Sequence, residues 1–159
     1  MSRIKSSNPP VDLLALESQV CFALAVASRR VIALYRPLLD PLDLTHPQYL
    51  VMLALWQHEP LTLRRLAELL SLEPATLSPL LKRLEAVGYL TRTRDPQDER
   101  SLNVTLTPEG KRLRRRALAI PPAIMDELGM DLSQLQSLHA ILTDVIGRTN
   151  QHNEHPEVA

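Results

Sequence analysis

Residues 74–107, PATLSPLLKRLEAVGYLTRTRDPQDERSLNVTLT, change their hydrophobic period halfway along. Before Gly88 the apolar residues recur at helical spacing, and a glycine commonly stands just past the end of a helix. After Gly88 the stretches 89–95 and 100–107 alternate Thr, Val and Leu with polar residues, and the turn-forming residues PQDE separate them. The segment therefore predicts a helix over 74–87 followed by a two-stranded hairpin.

Two shorter helices are predicted ahead of this segment. Thr45 and Gln48 stand three residues apart before an apolar run, which is the spacing of a capping box, and they predict a helix over 46–58. Thr62 is a suitable cap for a further helix that ends at Leu70. A tight connection joins this helix to the next, which is typical of a helix-turn-helix. A helix-turn-helix followed by a basic hairpin predicts a winged helix.

Longer helices are predicted on both sides of the winged helix. Apolar residues at helical spacing indicate a first helix over 12–39 and a fifth over 108–120, interrupted by the Pro-Pro pair 121–122. A sixth is predicted over 133–148, with Gln136 completing a capping box. We expect a mainly α protein with a small β-wing, a winged helix-turn-helix with a helical dimerisation region.

Composition limits the class of protein. With 159 residues the chain fits one domain, and a single cysteine excludes an internal disulfide framework. The first residues lack the apolar core of a secretory signal and no run is apolar enough to span a membrane, so we expect a cytoplasmic location.

Charge is distributed unevenly along the chain. The net charge is zero, but residues 64–116 contain 12 Lys and Arg against 7 Asp and Glu. A basic middle segment between acidic ends is typical of a protein that meets phosphates. The run KRLRRR, 111–116, spreads its charges around a helix, so we interpret it as a solvated face with a secondary electrostatic role.

The candidate DNA contacts lie on the predicted fourth helix and on the hairpin. Small hydroxyl residues near the start of a helix allow it to enter a major groove closely. Arg100, at the hairpin tip, is placed to reach a minor groove, and Asp98 is placed to hold its guanidinium. The complete set of predicted DNA-binding residues is Thr76, Ser78, Pro79, Lys82, Arg83, Arg94, Asp98 and Arg100.

Catalytic and metal-binding patterns are missing from the sequence. The five histidines have no HxxxH spacing, and the chain has neither a CxxC pair, a glycine-rich phosphate loop nor a Gly-x-Ser-x-Gly turn. We expect no metal, no cofactor and no enzymatic activity, since an enzyme would have to depend on Cys21 alone.

Four stretches in sequence order carry a resemblance to a known family. The chain resembles MarR-type winged-helix regulators over about 13–148, and more narrowly their organic-hydroperoxide-resistance repressors. The stretches are ESQVCFALAVASRRVIALYRPLLD (17–40), LTHPQYLVMLALW (44–56), ATLSPLLKRLEAVGYLTR (75–92) and DERSLNVTLTPEG (98–110). The resemblance implies a dimeric repressor of transcription that acts in the oxidative stress response, bound to double-stranded DNA.

The resemblance also implies roles for single residues. Cys21 matches the family's peroxide-reactive cysteine, and Tyr35 matches a tyrosine whose hydroxyl bonds that sulfur. His46 stands where the subfamily usually has a second tyrosine that bonds the sulfur, and Ala25 stands where an aromatic residue is common. We therefore expect Cys21, Tyr35 and His46 to form the redox-sensing site, and we assign no such role to Tyr49.

If Cys21 and Tyr35 meet, as the resemblance implies, the spacing within the first helix requires a dimer. Cys21 and Tyr35 are 14 residues apart, about 21 Å along a helix, so they can meet only across two subunits. We expect dimerisation through 12–44 and 108–148, DNA binding through 45–107 on a palindromic operator, a flexible arm over 1–11 and a flexible tail over 149–159, with 12–148 forming a single domain.

Sensing is expected to proceed by oxidation of the thiolate. Hydrogen bonds from Tyr35 and His46 would stabilise the anion, a protonated His46 more strongly than a tyrosine. The sulfenic acid would then form a mixed disulfide with a low-molecular-weight thiol, cyclise to a sulfenamide or overoxidise.

Two alternatives remain open. In one, Cys21 is a packed structural thiol and a small apolar or aromatic ligand releases the repressor from DNA. In the other, the chain is a thiol peroxidase or redox enzyme, which the basic helix-turn-helix and wing disfavour.

Overall fold

The computed structural model describes residues 12–153, in which helices surround a small antiparallel sheet. The elements follow in the order α1 (Val20–Leu39), α2 (His46–His58), β1 (Leu61–Thr62), α3 (Leu63–Leu70), α4 (Pro74–Val87), β2 (Leu90–Arg94), β3 (Leu102–Leu106), α5 (Pro108–Ala117), α6 (Ile120–Leu128) and α7 (Leu132–Asn153). Short 3-10 turns at Leu16–Ser18 and Asp40–Leu42 flank α1. No helix within 12–153 is long and apolar enough to cross a membrane.

The predicted winged helix is confirmed. The capping box of α2 is present, with the Gln48 amide donating to Thr45 Oγ1 and the Thr45 amide donating to Gln48 Oε1. The Thr62 hydroxyl accepts from the Arg65 amide at the start of α3. Gly88 ends α4 at a φ of 93°, a left-handed conformation that glycine adopts without steric cost.

The sheet has one strand more than the hairpin that the sequence predicts. The strand order is β1-β3-β2, and Leu61 of β1 pairs with Val104 of β3. β1 has only two residues and leads directly into α3, so it shows no period-two pattern that could predict a strand. It nevertheless anchors the base of the hairpin to the helix-turn-helix.

The first helix is shorter than predicted. α1 begins at Val20 rather than at residue 12, because Gln19 has an extended backbone and Leu16–Ser18 form a separate 3-10 turn. The apolar side chains of this leading segment have no packing partner in the chain, and Leu14 is 91% exposed. Helical spacing therefore continues in the sequence where tertiary contacts no longer support a helix.

The Pro-Pro pair begins a helix instead of only interrupting one. α5 ends at Ala117, and Pro121 and Pro122 lie in the first turn of α6, which the sequence analysis missed. Proline is accepted there because the first amides of a helix have no intrahelical acceptor.

The last helix is also longer than predicted. Its capping box joins Asp131 and Gln134, each amide donating 2.9 Å to the other side chain, instead of using Gln136. α7 continues through Asn153, into the segment predicted as a flexible tail. The rest of that segment, 154–159, and the predicted arm, 1–11, lie outside the described residues.

The core lies beneath the helix-turn-helix. α2, α3, α4 and the sheet contribute its most deeply buried large side chains, namely Val51, Met52, Leu55, Leu66, Leu77, Leu81, Leu84, Leu90 and Val104. In contrast, Leu39 is the one fully buried side chain in α1, and residues 132–150 of α7 have none.

The start of α5 packs closely against the residues that lead into the wing. A Cβ on Gly110 would lie 2.0 Å from the Tyr89 carbonyl oxygen, so only glycine fits. The Trp56 indole N–H donates to the Gly110 carbonyl (2.8 Å), and the Thr107 hydroxyl donates to the Gly88 carbonyl (2.6 Å). The ends of α2, α4 and α5 therefore meet in one joint.

Candidate functional site

The recognition helix α4 has one buried and one open face. Leu77, Leu81 and Leu84 are fully buried and fix the rotation of the helix on the core. Four of the predicted contacts are exposed and Ser78 is half-buried; the exposed four are Thr76, Pro79, Lys82 and Arg83. The predicted DNA-facing residues therefore share the surface opposite the core.

The wing presents two further predicted contacts. Arg94, at the end of β2, and Arg100, at the tip, are both exposed. The tip is ordered by its own backbone, since the Asp95 amide donates to the Ser101 carbonyl (2.9 Å) and the Ser101 amide donates to the Asp98 carbonyl (2.8 Å). Arg100 thus projects from a closed turn.

Asp98 contacts a different part of Arg100 from the one expected. Its Oδ1 accepts from the Arg100 backbone amide at 3.0 Å. Among the ion pairs of the described residues none joins Asp98 to the Arg100 guanidinium, and a role for Asp98 in holding that guanidinium on DNA stays a prediction. Because the two residues lie two positions apart in a turn rather than on one extended strand, the Asp98 carboxylate is within reach of the Arg100 amide. The contact shapes the backbone of the tip.

Two acidic residues that the sequence analysis did not single out connect the wing to the helices. Glu85 of α4 binds Arg92 of β2, with Oε2 2.7 Å from Nη2. Glu59, at the end of α2, accepts from the Leu106 amide (2.7 Å) and pairs with Lys111 of α5 (2.8 Å). Each pair joins two different elements, so the spacing within a single helix or strand does not predict it.

These contacts also set the charge of both carboxylates. Desolvation opposes the charged form of Glu59, but hydrogen bonds from Lys111 and the Leu106 amide outweigh it and lower its pKa. Hydrogen bonds from the Arg92 side chain and backbone lower the pKa of Glu85. Both groups are ionised at neutral pH.

The basic run 111–116 is largely occupied by contacts within the chain. Lys111 pairs with Glu59, Arg112 pairs with Glu109 (2.6 Å), and Arg116 donates to the Pro41 carbonyl (2.8 Å). Arg114 and Arg115 are exposed. The arrangement agrees with a solvated face.

Three aromatic rings meet where α1 and α2 cross. The Tyr35 ring centroid lies 4.8 Å from that of His46, edge to face, and 5.9 Å from that of Tyr49. The structure brings together two of the predicted sensing residues and adds Tyr49, which is 4% exposed. Its position three residues after His46, one helical turn, is the signal that could have indicated it.

Burial keeps this aromatic cluster neutral. It raises the pKa of Tyr35 and, together with the nearby Tyr35 phenol, that of Tyr49. It lowers the pKa of His46. Because burial favours the neutral imidazole, His46 offers a single N–H donor rather than the stronger donor that a protonated ring would be.

Cys21 lies apart from the aromatic cluster. It is exposed in the first turn of α1, while Tyr35 is in the last turns of the same helix. The sulfur and the predicted hydroxyl partner thus occupy opposite ends of α1. Within the described residues no cluster of His, Cys, Asp and Glu is arranged to hold a metal ion.

A cavity of about 300 Å³ separates α2 from α5 and α6. Its lining is mostly apolar and aromatic, with one exposed cation. The residues are Tyr49, Leu53, Trp56, Gln57, Arg114, Ala117, Leu118 and Pro121. Tyr49 therefore contacts both the aromatic cluster and this cavity.

A helix-turn-helix with an exposed recognition helix and a basic wing defines a winged-helix DNA-binding protein. A model described as "MarR family" matches residues 44–102. The chain is 43% identical over 142 residues to the organic hydroperoxide resistance transcriptional regulator of Bacillus subtilis (strain 168), covering 87% of this chain and 97% of that protein. It is 36% identical to the regulator SarZ of Staphylococcus saprophyticus, covering 87% and 94%. The chain belongs to the MarR family of transcriptional regulators.

Solved structures agree with this assignment. Reduced AbfR bound to DNA matches with a TM-score of 0.70 and 32% identity, covering 84% of this chain and 94% of that one. Overoxidised AbfR bound to DNA gives the same values. A probable transcriptional regulator from Pseudomonas aeruginosa matches with a TM-score of 0.75 and 26% identity, covering 82% and 99%.

Proposed function

We propose that this regulator is a homodimeric repressor that releases a palindromic operator when an organic hydroperoxide oxidises Cys21. The observation that carries the proposal is the separation of the exposed Cys21 from the Tyr35–His46 pair along α1. A peroxide-reactive thiolate needs hydrogen-bond donors beside it, and one subunit alone does not bring these donors to the sulfur.

A two-fold arrangement would complete the site. If two α1 helices cross antiparallel, each Cys21 comes near Tyr35 and His46 of the second subunit. The apolar side chains that α1 and α7 leave exposed support such an interface, among them Phe22, Ile32, Leu138, Ile141 and Val145. Surfaces of this kind are seldom left open to solvent in a stable protein. The expected assignment of 12–44 and 108–148 to dimerisation fits this pattern.

The chemistry requires one cysteine and, on the route to a mixed disulfide, one external thiol. The Cys21 thiolate attacks one oxygen of the hydroperoxide, the O–O bond breaks, and the leaving alkoxide takes a proton to become an alcohol. The resulting sulfenic acid condenses with a low-molecular-weight thiol, which releases water and leaves a mixed disulfide. The neutral Tyr35 hydroxyl and the His46 N–H would stabilise the thiolate before this attack. An enlarged sulfur at a dimer interface would then change how the two wings are held.

DNA binding would use α4 in the major groove and the wing in the minor groove. The exposed Thr76, Lys82 and Arg83 support the first contact and Arg100 the second. A dimer would present two α4 helices about 34 Å apart, matching half-sites one DNA turn apart. The operator would therefore be palindromic.

Operator release by an oxidant tests the proposal. The probe is a duplex selected by the wild-type protein from a random-sequence library, and the oxidant is cumene hydroperoxide. We expect the reduced wild type and Cys21→Ser to bind alike, and only the wild type to release the duplex after oxidation. Release of both proteins, or of neither, would contradict sensing through Cys21.

The α2–α5 cavity favours a second candidate function. Its apolar and aromatic lining fits a small apolar or aromatic ligand that releases the repressor while Cys21 is structural. Such a ligand would release Cys21→Ser as readily as the wild type. Leu53→Trp, which fills the cavity, should abolish that response and leave binding of the duplex without ligand unchanged.

A further inference from the structure

Glu85 and Arg92 form the most extensive side-chain contact between the recognition helix and the wing. The Arg92 amide donates to Glu85 Oε1 (3.0 Å), while its Nε (3.0 Å) and Nη2 (2.7 Å) both donate to Oε2. One carboxylate thus holds the backbone and the guanidinium of the same residue. Arginine presents its donors in a rigid fork, so this contact fixes an orientation as well as a distance.

Most other ion pairs in the described residues lie within one helix and are more exposed to solvent. The pairs of Glu68, Glu109 and Asp144 lie within single helices, three or four residues from their partners, and their side chains are at least half exposed. Glu85 and Arg92 are 35% and 24% exposed and lie on different elements. Only a pair that spans two elements can set the angle between them.

The wing needs such a contact because its outer part is a bare hairpin. β1 reaches β3 at Val104 and Asn103 only, so beyond these residues β2 and β3 pair with each other alone. An isolated two-stranded hairpin is marginally stable in water. Arg92 pairs with Val104, and the next pair toward the tip, Thr93 with Asn103, is the last one that β1 also supports. The Glu85 contact therefore lies within the supported base of the wing, one residue pair before that base ends.

We infer that Glu85 and Arg92 are positioning residues that hold the wing at a fixed angle to α4, so that both elements meet one DNA duplex without further ordering. Arg92 then acts on DNA binding through Glu85 and not as a phosphate contact, although it is one of the basic residues of the wing strand. The inference rests on the DNA-binding part of the proposed function and is independent of sensing by Cys21.

The variant Glu85→Gln distinguishes a positioning role of Glu85 from an effect of its charge, because the two predict opposite changes in DNA affinity. Removing an acidic group near DNA should tighten binding if charge alone matters. If positioning matters, binding of the selected duplex should weaken, by about fivefold, because the wing must be ordered on binding. The slope of log affinity against log salt should stay unchanged, since the bound state retains the same phosphate contacts.

Glu109→Gln is the matched control. It removes the same charge in the same basic region and breaks an ion pair, but that pair lies within α5. We expect its affinity to equal or slightly exceed that of the wild type. Equal or tighter binding by Glu85→Gln, or an equal loss in both variants, would overturn the inference.

Arg92→Lys provides a second variant that keeps the positive charge but loses the fork. We expect it to weaken binding as much as Glu85→Gln, and we expect faster hydrogen exchange of the β2 and β3 amides in both free proteins. The affinity of both variants should also be measured at a temperature well below their thermal unfolding transitions. If the loss of affinity disappears there, the contact contributes to stability only, and the inference is overturned. If the wild type selects no duplex at all, DNA binding itself fails, which is a distinct outcome.

Discussion

The middle of this chain, from α2 to β3, is well packed by itself and is called the completed region here, whereas the two ends, α1 and α7, keep large apolar side chains exposed. From α2 to β3, large apolar side chains are fully buried, and polar side chains such as Glu59 and Glu85 bond across elements. In α1 and α7 many apolar side chains remain exposed, and the ion pair of Arg148 with Asp144 in α7 is local. One chain therefore suffices to build the DNA-binding surface, whereas the proposed sensing site needs a second chain.

The largest effect is expected where α5 packs against the region from α2 to β3. Gly110→Ala would place a Cβ 2.0 Å from the Tyr89 carbonyl oxygen, where backbone would have to move. We expect a loss of unfolding free energy of about 3 kcal/mol or more, measured by chemical denaturation. Arg115→Ala, on the exposed side of the same helix, should change it by less than about 0.5 kcal/mol. Similar values for both would refute the tight joint between α5 and the wing.

Substitutions on the exposed apolar surfaces of α1 and α7 should change dimer assembly rather than the stability of the fold. Ile141, 63% exposed on α7, becomes buried in the proposed dimer. Ile141→Glu should raise the dimer dissociation constant on the order of a hundredfold or more, since each copy loses about 1.5–3 kcal/mol of apolar burial. Sedimentation analysis measures this, with Gln136→Glu on the opposite side of α7 as the control. A dimer that survives Ile141→Glu would place the interface elsewhere.

A smaller effect is expected at the wing tip, where the completed region meets DNA. Asp98→Ala removes the acceptor for the Arg100 amide and should weaken binding by about fivefold. Asp98→Asn keeps an oxygen acceptor and should bind as tightly as the wild type. If Asp98→Asn loses as much affinity as Asp98→Ala, the carboxylate charge matters, and Asp98 does more than accept the Arg100 amide.

The smallest effect is the pH dependence of stability that His46 introduces at the border of the two regions. Burial lowers the pKa of His46, so the unfolded chain takes up a proton near pH 6.5 while the folded chain resists it. Stability should therefore fall as the pH drops below about 7. His46→Gln should flatten this dependence, which chemical denaturation at a series of pH values measures. Equal slopes in the two proteins would contradict the burial of His46.

The sequence predicted the completed region better than the ends, and the reason is physical. The bounds of α2, α3 and α4 follow from caps at Thr45 and Thr62 and from the glycine stop at Gly88, which are local features. The start of α1 and the identity of α6 depend on tertiary packing and on where Pro121 falls in a helix, which periodicity does not report. The wing residues were found because they follow α4 directly.

The rest of the candidate site depends on side chains that meet only after folding. Glu59 and Glu85 contact partners on other elements, and no short-range spacing in the sequence encodes those pairings. For Tyr49, which meets Tyr35 of α1, the one sequence signal is its position one helical turn after His46. The spacing of Cys21 and Tyr35, in contrast, already indicated that they are too far apart along one helix to meet.

The most direct test of the central claim, a sensing site shared between two chains, uses mixed dimers. In a dimer of one Cys21→Ser subunit and one Tyr35→Phe subunit, the remaining Cys21 would face an intact Tyr35 across the interface. In a dimer of wild type with the double variant, it would face phenylalanine. We expect cumene hydroperoxide to oxidise the first dimer at the wild-type rate per thiol and the second about tenfold more slowly, because one hydrogen bond to the thiolate is lost. The reverse order would show that Cys21 and Tyr35 act within one chain, and would contradict the account.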